Sequence, residues 1–130
     1  TLNGYKVCLD CDVEKPQCDF YKFSHSPDGL STYCSTCLAI RQRRNKTDII
    51  QWVSNMKMAA GCVDCGYSTH AEALEFDHLP EYEKVKNIAE MVNKLNPRSW
   101  IEAEIAKCEV VCANCHRVRT ANRRKELEDA

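Results

Sequence analysis

Eight of the ten cysteines fall into four Cys-x-x-Cys pairs, Cys8/Cys11, Cys34/Cys37, Cys62/Cys65 and Cys112/Cys115. Two intervening residues is the spacing at which a knuckle turn offers two thiolates to one tetrahedral ion, and such knuckles come two per ion. The set therefore predicts two structural zinc sites, Cys8, Cys11, Cys34 and Cys37 in one and Cys62, Cys65, Cys112 and Cys115 in the other. Interleaved with the second set stand Asp77 and His78, at the end of Leu74-Glu-Phe-Asp77-His78, and His116, directly after Cys115 in Val111-Cys112-Ala-Asn-Cys115-His116. A zinc clasp around a strand, a long excursion, a second strand and a helix brings Asp77, His78 and His116 together. That grouping has the look of a metal-dependent phosphodiesterase site, separate from the sulfur-held ions.

The elements that position these groups must come from a short chain. With 130 residues there is one domain or two small ones, and units this size bury too little apolar surface to be stable without a staple. Metal supplies it. A secreted disulfide scaffold is the competing reading of many cysteines. Against it stand the fourfold repeat of the knuckle spacing and, in a sequence that opens on Thr1 rather than Met and so can be a trimmed one, a start that reads as no apolar leader. A thiol-redox role could explain one Cys-x-x-Cys but not four. No run reaches the roughly 20 apolar residues of a membrane span, so a cytoplasmic protein, in a compartment where thiols stay reduced, is expected. The formal charge of −1 moves to about −5 once eight thiolates and two dications are included, so global charge does not point to nucleic acid.

Along the chain, residues 1–46 read as a first zinc module. Phe20-Tyr-Lys-Phe23, Ser26-Pro-Asp-Gly29 and Leu30-Ser-Thr-Tyr33 predict a strand, a turn and a strand between the knuckles Cys8/Cys11 and Cys34/Cys37. The second knuckle opens a helix, giving the outline of a treble-clef or zinc-ribbon module. Residues 47–60 read as a connecting helix started by Asp48 with Gln51 three places on, and Ile49, Trp52, Val53 and Met56 form an apolar stripe expected to pack the two modules together. Gly61 ends it. In residues 61–130, Leu74 to His78 alternate as a half-buried strand. Asn87 to Leu95 predict a short helix stopped by Asn96-Pro97, and Ser99 with Glu102 predicts a capping box for the next one. Glu109 to Cys112 predict a strand, and a last helix starts near Asn114, carries His116 and frays over Glu126 to Ala130. Trp52 and Trp100 are expected in the core.

A Cys-x-x-Cys, a strand ending Phe76-Asp77-His78, and Val111-Cys112-Ala-Asn114-Cys115-His116-Arg117 with Thr120 three places on resemble the HNH endonucleases, especially the small zinc-stabilised phage and bacterial members such as recombination endonuclease VII. The resemblance covers about residues 61 to 124. It implies an α+β fold, a ββα-metal domain in which two strands and a helix surround one divalent ion, preceded here by the zinc-ribbon-like module and the connecting helix. Carried over by position, Asp77 corresponds to a carboxylate ligand of the catalytic metal, His78 to the general base and His116 to a second metal ligand. The family's Asn usually stands near positions 106 to 108, where this chain has none, and Asn114 is the nearest substitute. A third ligand frequent in relatives falls on Thr120.

The expected activity is metal-dependent hydrolysis or nicking of DNA, leaving 5'-phosphate and 3'-hydroxyl ends. The cofactors are two structural Zn2+ and one catalytic divalent ion, Mg2+, Mn2+ or another transition metal. A neutral imidazole at His78 can take a proton from water near pH 7, and one ion with few protein ligands keeps open positions for phosphate oxygens. Adjacent strand residues point to opposite faces, so Asp77 and His78 require a bulge or a strand end. Arg117, Arg119, Arg123 and Arg124 on the last helix, and Arg41, Arg43 and Arg44 on the first module, are the candidate DNA contacts; such contacts hold phosphates and carry no sequence code. The same arginines also suit solvated helix faces. Phage packaging or recombination proteins are candidate partners by resemblance. A catalytically silent zinc module that binds DNA or a protein is the competing function.

Overall fold

The computed structural model describes residues 4–129. The chain divides into two compact units, Thr1–Asn45 and Lys46–Ala130. Both are mixed α and β, with one two-stranded sheet each.

In the first unit, strands β1 (Tyr5–Val7) and β2 (Glu14–Pro16) pair antiparallel across the Cys8/Cys11 knuckle. The knuckle turns back on itself because Asp12, at φ 56°, donates its N–H to Cys8 O at 2.9 Å, and Cys8 N–H reaches Val13 O at 3.1 Å. The strands expected at residues 20–23 and 30–33 shrink to a single antiparallel bridge, Lys22 with Leu30, around a tight turn in which Gly29 sits at φ 72°. Three-residue strands leave no alternating pattern, which is why the β1–β2 hairpin was not foreseen. Phe20, Cys8 and Cys34 form the small core.

Helix α1 (Ser35–Ala60) opens on the second knuckle and runs unbroken for 26 residues. The separate helix expected from Asp48 is the later part of α1, and nothing between Ser35 and Ala60 is a Gly or Pro that could stop it. Gln51 bonds Asn55 along the helix surface at 2.8 Å. The stripe is buried as expected, but the packing it makes lies within the second unit and not between the two modules: Ile49 and Val53 are buried, with Trp52 and Met56 beside them, against Ile88, Met91, Val92 and Ile101. Gly61, at φ 64°, ends α1 with its N–H on Lys57 O at 2.9 Å, a left-handed turn that a side chain resists.

The second unit continues with β3 (Leu74–His78), α2 (Ile88–Asn93), α3 (Arg98–Ile105), β4 (Cys108–Cys112) and α4 (Ala113–Asp129). β3 and β4 pair antiparallel in unbroken register from Leu74 with Cys112 to His78 with Cys108. There is no bulge at Asp77; His78 ends the strand. Helix α2 closes with Leu95 in the left-handed region, φ 53°, and Asn96 N–H on Met91 O at 3.0 Å. The capping box at Ser99 does not form: α3 begins at Arg98 behind Pro97 with no side-chain cap. Trp100 is 58 % exposed rather than buried. Helix α4 continues through Asp129 instead of fraying at Glu126, and Ala130 lies outside the described residues. Among the described residues no helix is long and apolar enough to cross a membrane.

Candidate active site

Two groups of four cysteines could each hold a metal ion such as zinc: Cys8, Cys11, Cys34 and Cys37 in the first unit, and Cys62, Cys65, Cys112 and Cys115 in the second. Both are the sets expected from spacing. The knuckles are built alike. Gly66, at φ 81°, returns its N–H to Cys62 O at 2.8 Å and Cys62 N–H meets Tyr67 O at 2.8 Å, as Asp12 and Val13 do around Cys8. The second pair of each set opens a helix, with Leu38 N–H on Cys34 O at 2.9 Å and Cys115 N–H on Cys112 Sγ at 3.4 Å. Burial opposes the thiolates of Cys8 and Cys62, yet backbone N–H donors outweigh it and bring both thiols down to about 6. Lys15 adds a donor to Cys34 Sγ at 3.1 Å. Four sulfur ligands would leave a bound ion no open position, which suits a structural and not a catalytic site.

The second set pins the start of β3–β4 pairing beside the start of α4, and the chemistry-bearing residues follow from that anchorage. Glu75 and Asp77 share one face of β3 and meet α4; Leu74, Phe76 and His78 share the other. His116, one residue past the clasp, bridges the first face: its Nδ1 donates to Glu75 Oε1 at 2.7 Å and its Nε2 stands 3.5 Å from Asp77 Oδ1. A carboxylate can only accept, so the Glu75 bond leaves the Nε2 lone pair of a neutral His116 free to bind an ion shared with Asp77.

His78, on the other face, sends Nε2 to Glu104 Oε2 of α3 at 2.9 Å. Glu104 is 3 % exposed and also accepts from Val85 N–H at 3.2 Å and Lys107 Nζ at 3.0 Å. Although burial alone favours its neutral form, the donors from Lys107, Val85 and His78 hold its carboxyl below the usual range. Asp77, His78 and His116 line one cavity of about 790 Å3, floored by Phe76, Val53 and Ile88. All three groups singled out by sequence border that cavity, but only Asp77 and His116 meet directly; His78 leaves the opposite face of β3 toward Glu104.

Several expected roles change on the structure. Asp77 is 2 % exposed and already bonded by two guanidiniums, Arg119 to Oδ2 at 2.9 Å and Arg123 to Oδ1 and Oδ2 at 2.8 Å each. Burial would raise its carboxyl; the two arginines and His116 prevail and hold it low. Arg119 also grips Asp64 through two bonds of 2.7 Å and Glu109 at 3.0 Å. Arg119 and Arg123, expected on phosphates, are thus spent on carboxylates. Arg41 is likewise held, by Asp10 and by stacking 3.9 Å over the Tyr33 ring. Arg117 and Arg124 stay exposed and line a second cavity of about 430 Å3 with Glu75, His116 and Thr120. Arg43 and Arg44 are exposed on α1. Asn114 is exposed in the first turn of α4 and lines neither cavity, so the structure does not bring it to the Asp77, His78 and His116 group. Thr120 hydroxyl bonds His116 O at 3.0 Å, within its own helix.

Sequence reasoning missed Glu75, Glu104 and Asp64. Glu75 was legible from alternation with Asp77. Glu104 announced itself as an acid at i+3 between Ile101 and Ile105 on an apolar helix face. No family model matches the chain, and no curated protein or solved structure matches it either.

Proposed function

We propose that residues 61–130 act as an HNH-type, metal-dependent endonuclease that hydrolyses or nicks DNA. What supports this most is that Asp77, His78 and His116 all line one cavity, with His116 Nε2 turned to Asp77 by the Glu75 bond. One carboxylate oxygen and one imidazole nitrogen suit a divalent ion that completes its shell with water and phosphate oxygens. Bound there, Mg2+, Mn2+ or another transition metal would stabilise charge on phosphorus and on the departing 3'-oxygen. His78 takes the proton from the attacking water through Nδ1, the nitrogen its Glu104 bond leaves as acceptor. Arg117 and Arg124, exposed beside His116, hold the DNA backbone. The products carry 5'-phosphate and 3'-hydroxyl ends. By resemblance, recombination and packaging proteins of a phage are candidate partners.

The second reading, a zinc module that binds DNA or a protein without cutting, draws on the two guanidiniums at Asp77. They neutralise the carboxylate a metal needs, so an ion enters only if an arginine turns away.

A plasmid nicking assay with the zinc-loaded full chain separates the two. Under the nuclease reading, one of Mg2+, Mn2+, Co2+, Ni2+ or Zn2+ supports nicking, and His78→Ala lowers the rate by about 100- to 10,000-fold. Folded wild-type protein that cuts with none of these ions belongs to the binding class.

A further inference from the structure

We propose that Glu104 is the positioning residue of His78, holding its imidazole as the Nε2–H tautomer at the cavity edge with Nδ1 left to accept a proton. The inference rests on the nuclease reading for its catalytic consequence, but the pairing itself rests on geometry alone.

A glutamate at 3 % exposure is costly unless its oxygens are filled. Here the oxygens are divided. Oε1 takes Lys107 Nζ at 3.0 Å, an i+3 neighbour just past the end of α3. Oε2 takes Val85 N–H at 3.2 Å and His78 Nε2 at 2.9 Å, two contacts more than 15 residues away in sequence. The lysine and the loop amide fix the carboxylate in place; the carboxylate then fixes the ring. An ionised carboxylate has no proton to give, so a neutral imidazole bonded to it carries its hydrogen on Nε2 and leaves Nδ1 as the acceptor. His78 keeps 15 % of its side chain exposed and lines the cavity that Asp77 and His116 share. The sheet holds the backbone end of this lever: His78 pairs with Cys108, and Leu79 N–H continues the ladder on Lys107 O at 3.0 Å. Ring and backbone are therefore anchored to the same segment, Glu104 to Cys108. His78 borders the cavity with Nε2 committed to Glu104.

The first experiment reads the ring directly. Two-bond 15N–1H correlation spectra of the zinc-loaded full chain at pH above the imidazole range are expected to show His78 as the Nε2–H tautomer, and in Glu104→Ala a mixture of both tautomers. Glu104→Gln, which keeps an acceptor oxygen, is expected to restore the wild-type pattern. An unchanged His78 signal in a folded Glu104→Ala protein overturns the pairing. So does a wild-type ring that is already mixed.

The second reads the rate. In DNA nicking, Glu104→Ala is expected to lower kcat by about 10- to 100-fold with KM for DNA unchanged, as for other residues that orient a reacting side chain. Glu104→Gln recovers part of the loss. In the His78→Ala background the same substitution should cost nothing further, because its effect passes through the ring. Additive losses in the double variant, or a loss confined to KM, assign Glu104 a purely structural part and overturn the proposal. If wild-type protein cuts with no metal, the nuclease reading falls, and the tautomer spectra still decide whether Glu104 sets His78.

Discussion

Glu104 and Asp77 are buried carboxylates made tolerable by what surrounds them, and each makes a measurable demand. For Glu104 the folded state holds the carboxyl below its usual 4.5. The sign follows: the contribution is fully present above 4.5 and is lost as pH falls through the lower, folded value. Stepwise acidification should therefore destabilise wild type more steeply than Glu104→Gln below about 4.5, with the two curves parallel above it, as read from urea midpoints. Arg119→Ala strips one guanidinium from Asp77 and both bonds from Asp64. Because Arg123 stays on Asp77, the expected cost is about 1–3 kcal/mol in denaturant unfolding, whereas Arg117→Ala on the exposed face should stay within about 0.5 kcal/mol. Spacing put Arg119 and Arg123 on one helical face correctly. It could not say that acids rather than phosphates meet that face, since Asp64 and Asp77 arrive from distant parts of the chain. The approach of His116 to Asp77 was legible because the cysteine pairs on either side fix where their segments must go.

Elements were legible where a periodic pattern ran long enough to accumulate. The Ile49, Trp52, Val53 and Met56 stripe, the alternation in Leu74 to His78, and the valines of Glu109 to Cys112 all appear in the expected elements. Starts were less legible than faces. Asp48 and Ser99 have the chemistry of caps, but a helix already in progress, or one opened by Pro97, gives such a side chain no unpaired N–H groups to serve. The stop at Gly61 was legible, and it can be tested. A Cβ there would lie 3.3 Å from Ser68 Cβ and 3.4 Å from Tyr67 O, on a backbone at φ 64°. Gly61→Ala should cost about 1–2 kcal/mol, visible as a lower thermal midpoint with zinc content retained.

At the scale of the whole molecule, one device is made twice. A knuckle closed by a left-handed residue four places past its first cysteine pairs with a Cys-x-x-Cys that opens a helix, once in each unit. The four cysteines of each set lie in a single unit, so ions held there should load and empty as separate events. Elemental analysis is expected to give two zinc ions per chain, falling to one in Cys8→Ser, whose amide spectrum should change in the first unit and keep the dispersed signals of residues 61–129. The clusters were legible down to the residue; the β1–β2 hairpin across the Cys8/Cys11 knuckle was not, because strands of three residues are too short to show side-chain alternation. The two sites also share a pattern of shelter, with the first cysteine of every pair buried while Cys11 and Cys65 stand exposed and Cys37 and Cys115 lie between. Each sulfur cage thus has a single weather side. Electrophiles and oxidants should reach Cys11 and Cys65 ahead of the others, making these two thiolates the fuse through which oxidative stress first ejects the ions.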